Sequence, residues 1–173
     1  MISIIKKIED NTNQIINLVN SNQSISFLKP SIDEWSINEC LDHIIRIEED
    51  IYSNILCNMT TAQKHTNLEK FGFNKMYHVL VGKRNIKVKS PDLFIPDISS
   101  FDSEILIARF QNTRNTIVNL LKTSVDNIDC SLYDHPNLGL LTKTDWLYFM
   151  ICHAERHCFQ MNSVVEVIQK HQN

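Results

Sequence analysis

The chain has 173 residues, 43% of them hydrophobic, with 17 basic and 20 acidic side chains and a formal net charge of −3. That composition fits one folded domain over residues 1–173 with a sizeable core, and excludes a disordered chain. The lack of a basic excess argues against a nucleic-acid partner. Only three glycines and four prolines occur. So few breakers favour long regular elements, and hence an all-α fold. The five cysteines (Cys40, Cys57, Cys130, Cys152 and Cys158) are odd in number and form no C-x-x-C pair. A disulfide framework is therefore not expected, and a reducing, cytoplasmic setting is. The segment Met1–Asp10 is periodic and charged, unlike a signal peptide, and no stretch has the length of a membrane span.

The first predicted helix runs from about Ile2 to Asn20, with Ile5, Ile8, Thr12, Ile15 and Val19 as its buried stripe at steps of three and four. The second opens after Trp35, where Ser36-Ile37-Asn38-Glu39 reads as a capping box, and continues toward about Met59 with Ile37, Leu41, Ile44, Ile51 and Ile55 inward. A connection of about Thr60 to Ser100 follows. It is too long for a hairpin and is expected to cross the bundle end with short elements of its own, such as Phe71 to Val81. Any strand-like pieces are expected there.

The third helix spans about Asp102 to Thr123, with Leu106, Phe110, Thr113, Ile117 and Leu120 inward. A turn-rich stretch, Asp134-His135-Pro136-Asn137-Leu138-Gly139, leads to the fourth. That helix begins at a second capping-box pattern, Thr142-Lys143-Thr144-Asp145, and runs to about Lys170, roughly 40 Å at the usual rise. Leu147, Met150, Ala154, Cys158, Met161, Val165 and Ile168 form its core face. Four amphipathic helices of this length make a four-helix bundle with a long crossover between helices 2 and 3.

Three histidines stand out against this frame. His153 and His157 are spaced i, i+4, which puts both imidazoles on one helical face with Cβ atoms roughly 5–6 Å apart. Two ring nitrogens so placed can reach one metal ion, and His43 is the best third ligand. Three imidazoles leave a coordination position open, as catalysis needs. At about 100° per residue, His43, His153 and His157 all fall on the margin of an apolar face, where a site can exclude bulk water yet admit a ligand.

Other residues are weighed beside them. Gln160 shares the face of His157 and either orients a ligand or hydrogen-bonds within the bundle. Cys40, one turn before His43, is either a soft extra ligand or a small hydrophobe. Glu48 lies in the apolar stripe, roughly 140° around the helix from His43. It is read as half of a structural ion pair with Arg109, Arg114 or Arg156 rather than as a base. His65, His78 and His135 have no partner spacing that supports ligation, and Trp146 and Tyr148 are read as packing residues. Lys70, Lys75, Lys83, Arg84, Lys87 and Lys89 make the long connection basic. If it folds over the site it would attract an anionic substrate or thiol.

Two stretches carry a resemblance. Trp35-Ser36-Ile37-Asn38-Glu39-Cys40-Leu41-Asp42-His43-Ile44-Ile45 is similar to the second-helix motif of the DinB/YfiT-like superfamily of metal-binding four-helix bundles. The segment His135-Pro136-Asn137-Leu138-Gly139-Leu140-Leu141-Thr142, followed by Trp146–Phe149 and His153-Ala154-Glu155-Arg156-His157-Cys158-Phe159-Gln160, resembles that family's last loop and helix. The resemblance covers nearly the whole chain. It implies a divalent metal, zinc or nickel, on His43, His153 and His157, and a thiol-dependent S-transferase or a hydrolase acting on a small electrophile. A low-molecular-weight thiol would be the cosubstrate of the former. With no carboxylate base in view beside the histidines, thiolate chemistry is favoured. A non-catalytic stress-response or binding module with a structural or vestigial metal is the alternative, since fold does not set reaction. Long helices with apolar flanks make a homodimer plausible.

Overall fold

The computed structural model describes residues 2–57, 71–86, 88–97, 102–123 and 132–172. His65, Lys70, Lys87, Cys130 and the end of the second helix near Met59 lie outside the described residues. Helix α1 spans Ile2–Ser21, α2 Ile37–Ile51, α3 Phe73–Tyr77, α4 Ser103–Thr123 and α5 Lys143–Gln172, with a two-stranded antiparallel hairpin, β1 Leu132–His135 and β2 Gly139–Thr142, before α5. Short π-helical turns extend α2 over Tyr52–Leu56 and α3 over His78–Gly82.

Local chemistry starts the long helices. At α2 the Ser36 hydroxyl accepts the Glu39 amide at 3.2 Å, and the Glu39 carboxylate accepts the Ser36 amide at 2.8 Å. Two orphan donors are satisfied reciprocally. At α4 the Asp102 carboxylate accepts the Glu104 amide at 2.8 Å. At α5 the Thr142 hydroxyl accepts the Asp145 amide at 3.1 Å, and Asp145 accepts the Thr142 amide at 3.3 Å. Asp145 also takes the Gly72 amide at 2.9 Å, which ties the start of α3 to the start of α5. Gly72 has a φ of 77°, a conformation costly for any residue with a Cβ.

Helix α1 packs on α4 and α5, and α2 also packs on α4 and α5. The consecutive helices α1 and α2 therefore occupy diagonal corners, while α4 runs parallel to its neighbour α2, with Ser103 at Asn38, Arg109 at Asp42 and Arg114 at Glu48, so the chain must return along the bundle between them. The core divides into two apolar clusters. One holds Ile8, Ile51, Ile117 and Met150; the other holds Ile15, Leu41, Ile44, Phe110 and Ala154. Between them in sequence on α1, α2 and α4 lies a polar layer, which Glu155 of α5 joins. Arg114 of α4 donates through Nε and Nη2 to the Glu48 carboxylate of α2, at 2.6 Å each, and through Nη2 to Asn11 Oδ1 of α1 at 3.1 Å. Asn11 in turn donates to Glu155 of α5 at 3.1 Å. The expected partner of Glu48 is thus Arg114. Arg109 instead pairs with Glu49 and Asp42, and Arg156 donates to the Leu80 and Ile86 carbonyls.

Among the described residues the strands fall in the turn-rich stretch before α5, and none falls in the long connection. Strands of four residues are too short to show a period, and their turn residues read as loop. The burial of Leu132 and Leu141 and a φ of 73° at Gly139 make the segment a hairpin. Among the described residues, no helix is long and apolar enough to cross a membrane.

Candidate metal centre

The arrangement α2 beside α5 brings His43 face to face with His153 and His157. One possible ligand atom from each lies within 4.8 Å of the others. His153 Nε2 and His157 Nε2 are 3.1 Å apart. Imidazoles bound to one tetrahedral ion at about 2.0–2.1 Å hold their nitrogens ~3.3 Å apart, so this pair is already spaced as ligands of one centre.

The outer nitrogens decide which lone pairs point inward. His43 Nδ1 lies 2.7 Å from the Phe94 carbonyl oxygen. His157 Nδ1 lies 2.9 Å from Gln160 Oε1. An oxygen that only accepts requires Nδ1–H, which leaves Nε2 as a lone pair. Gln160 thus bonds within the bundle, and its partner is one of the three histidines themselves.

The residues at the margin are more covered than their helical position suggested: His43, His153 and His157 are 4%, 9% and 7% exposed. The cover comes from distant segments. Trp35 lies 4.7 Å from the His43 ring and 6.2 Å from that of His157, between centroids. Phe149 stacks on His153 at 5.3 Å. The 88–97 segment of the crossover passes over His43 with its Phe94 carbonyl. That segment is clamped a second time by Asp42, whose carboxylate accepts the Asp97 amide at 2.9 Å while also binding Arg46 and Arg109.

Burial disfavours charge on all three rings. It brings His157 down to about 3, with His43 adding to the effect and Gln160 opposing it. His153 is lowered well below the usual imidazole range, first by burial and then by His157 and His43. His43 is lowered by burial, against the pull of the Phe94 carbonyl and Asp42. The cluster therefore offers neutral imidazoles at neutral pH, the form that binds metal.

Cys40 is fully buried in the apolar cluster with Leu41 and Ile44, outside the histidine group, and burial pushes its thiol well up. Cys152 and Cys158 are likewise buried, with thiols pushed up to about 12 and about 11. His78 is exposed on the short π turn after α3. Of the basic side chains, Lys75 lies over the Phe71 ring at 4.4 Å and Arg84 over Phe159 at 4.7 Å. Neither Phe71 nor Phe159 is among the rings packed on the three histidines. Trp146 packs as expected, but His135 sits beside it, with ring centroids 5.1 Å apart, and 4.7 Å from Phe149. Sequence spacing had no means to bring a hairpin residue to this wall. A cavity of about 250 Å³ between α1, α3 and α5, lined by Lys7, Phe73, Cys152 and Glu155 among others, shares no residue with the histidines.

Residues 18–161 match the family model described as the DinB superfamily. The chain is 28% identical over 153 residues to the uncharacterized protein YuaE of Bacillus subtilis (strain 168), covering 82% of this chain and 84% of that protein. Its fold is similar to that of YfiT from Bacillus subtilis, described as a probable metal-dependent hydrolase with an unusual four-helix bundle topology. The TM-score is 0.62 at 15% identity, over 98% of this chain and 86% of the other. With the family model covering most of its length, the chain belongs to the DinB superfamily.

Proposed function

We propose that this protein is a metal-dependent enzyme of small-molecule chemistry, that His43, His153 and His157 hold one divalent ion, and that the reaction joins a low-molecular-weight thiol to an electrophile. The observation that carries the reading is the convergence of three neutral imidazoles whose inward nitrogens are spaced as ligands of one centre. An ion held there supplies Lewis acidity, lowering the pKa of a thiol or water that reaches it. The Phe94 carbonyl and Gln160 hold two of the rings in the metal-binding tautomer. Trp35 and Phe149 exclude bulk water from the rings, which strengthens electrostatic interactions inside. Imidazole ligands suit zinc or nickel.

The choice of a thiol over water rests on the nearby carboxylates. Asp42 is committed to Arg46, Arg109 and the Asp97 amide, and Glu155 to Asn11. Neither is left to take a proton from water; a thiol starts near a pKa of about 8.5, far below that of water, and at such a centre would release its proton to solvent. Hydrolysis is the second reading, favoured by the likeness to YfiT and its description as a probable hydrolase.

The test loads the purified chain with zinc or nickel and measures ions per chain, then screens thiols against electrophiles. One ion per chain is expected, with thiol consumption that follows occupancy and is abolished in His43→Ala. Turnover that persists without metal would overturn the metal assignment. Electrophile cleavage that ignores added thiol would move the assignment to a hydrolase. Full loading with neither reaction would leave a non-catalytic binding module.

A further inference from the structure

His135 differs from His43 and His157 in which ring nitrogen carries the hydrogen. The Asn137 backbone amide donates to His135 Nδ1 at 3.1 Å. A backbone amide can only donate, so Nδ1 presents a lone pair and the neutral ring carries its hydrogen on Nε2. This is the reverse of the ligand tautomer seen in His43 and His157. The ring is also held in place. Its hairpin is anchored to the first turn of α5 by the Trp146 indole, which donates to the Tyr133 carbonyl at 3.4 Å. The imidazole packs against Trp146 and Phe149, and Phe149 is the ring that stacks on His153. His135 is near enough to His153 for the two to interact electrostatically. The wall that Phe149 forms beside His153 therefore also holds His135, whose ring offers an N–H donor where His43 and His157 offer inward lone pairs.

We propose that His135 is the hydrogen-bond donor that recognises an oxygen of a small carboxylate or carbonyl ligand seated at the three-histidine centre. The inference rests on the metal reading above and narrows its ligand class. A ligand with two oxygens places one at the centre and offers the other to His135 Nε2–H. A single-atom ligand offers nothing to this donor.

The probe is acetate, with bromide as the single-atom control, titrated against the cobalt(II)-loaded full chain and followed by its visible absorption. His135→Phe keeps a ring against Trp146 and Phe149 but removes the N–H; His135→Gln keeps an N–H near the Nε2 position. With cobalt occupancy equal in all three proteins, acetate should bind about fivefold to tenfold more weakly to H135F. H135Q should stay within about twofold of the unaltered chain, and bromide should bind all three alike. Equal acetate affinity in H135F, or equal weakening of acetate and bromide, would overturn the proposal. Should H135F not fold, His135→Met set against H135Q makes the same comparison. An unaltered chain that takes up no cobalt refutes the metal reading itself and is told apart by elemental analysis before any anion is added.

Discussion

Removing the Arg114 side chain should destabilise the bundle strongly, because it strands a carboxylate in the core. Arg114 is 1% exposed. Its guanidinium donates twice to Glu48, once to Asn11, and at 3.3 Å to the Ile8 carbonyl. Breaking a buried pair on one side costs about 3–5 kcal/mol. For a chain of this size that corresponds to a fall in Tm of roughly 10–15 °C. Arg114→Met retains most of the volume, so the loss reports on charge and hydrogen bonding more than on a cavity. Burial already raises the Glu48 pKa against the pull of Arg114. In the variant burial acts unopposed, the folded carboxyl binds its proton more tightly than the unfolded one, and the penalty must shrink as pH falls. Urea unfolding at pH 7.5 and pH 5 measures both effects, and the double variant Glu48→Gln/Arg114→Met should recover part of the loss. An R114M protein within about 1 kcal/mol of the unaltered chain, or a double variant no more stable than the single, would refute the account of a stranded charge.

The metal-free protein should lose stability as pH falls from about 6.5 toward 3. His157 is lowered from 6.5 to about 3 and His153 is also strongly lowered, so in that window the unfolded chain binds protons that the folded chain refuses. His157→Gln should flatten the slope, and an unchanged slope would show that other groups dominate. Gln160→Leu, which removes the acceptor for His157 Nδ1–H, should weaken zinc binding by about tenfold or more while leaving the helical circular dichroism unchanged. Zinc affinity equal to that of the unaltered chain would remove Gln160 from the support of the centre.

Periodicity and capping chemistry are local, and the sequence alone determines what they govern. Ser36 with Glu39 and Thr142 with Asp145 start two helices because the partners lie three residues apart. The i, i+4 spacing of His153 and His157 likewise sets their rings on one face, and the apolar stripe of α2 leaves Glu48 in need of a cation. Which cation was open: three arginines were available, and only the stacking of α4 beside α1 and α2 selects Arg114. The same holds for the site. No local rule brings the Phe94 carbonyl to His43 across 51 positions, and none places His135 of a four-residue strand against Phe149. Cover over the histidines depends on those remote segments as well, so rings that belong to a helix margin end up buried. Tautomer, burial and the orientation of a hydrogen bond are properties of neighbours in space, and chain order does not encode them directly; the diagonal placement of α1 and α2 and the path of the crossover decide them.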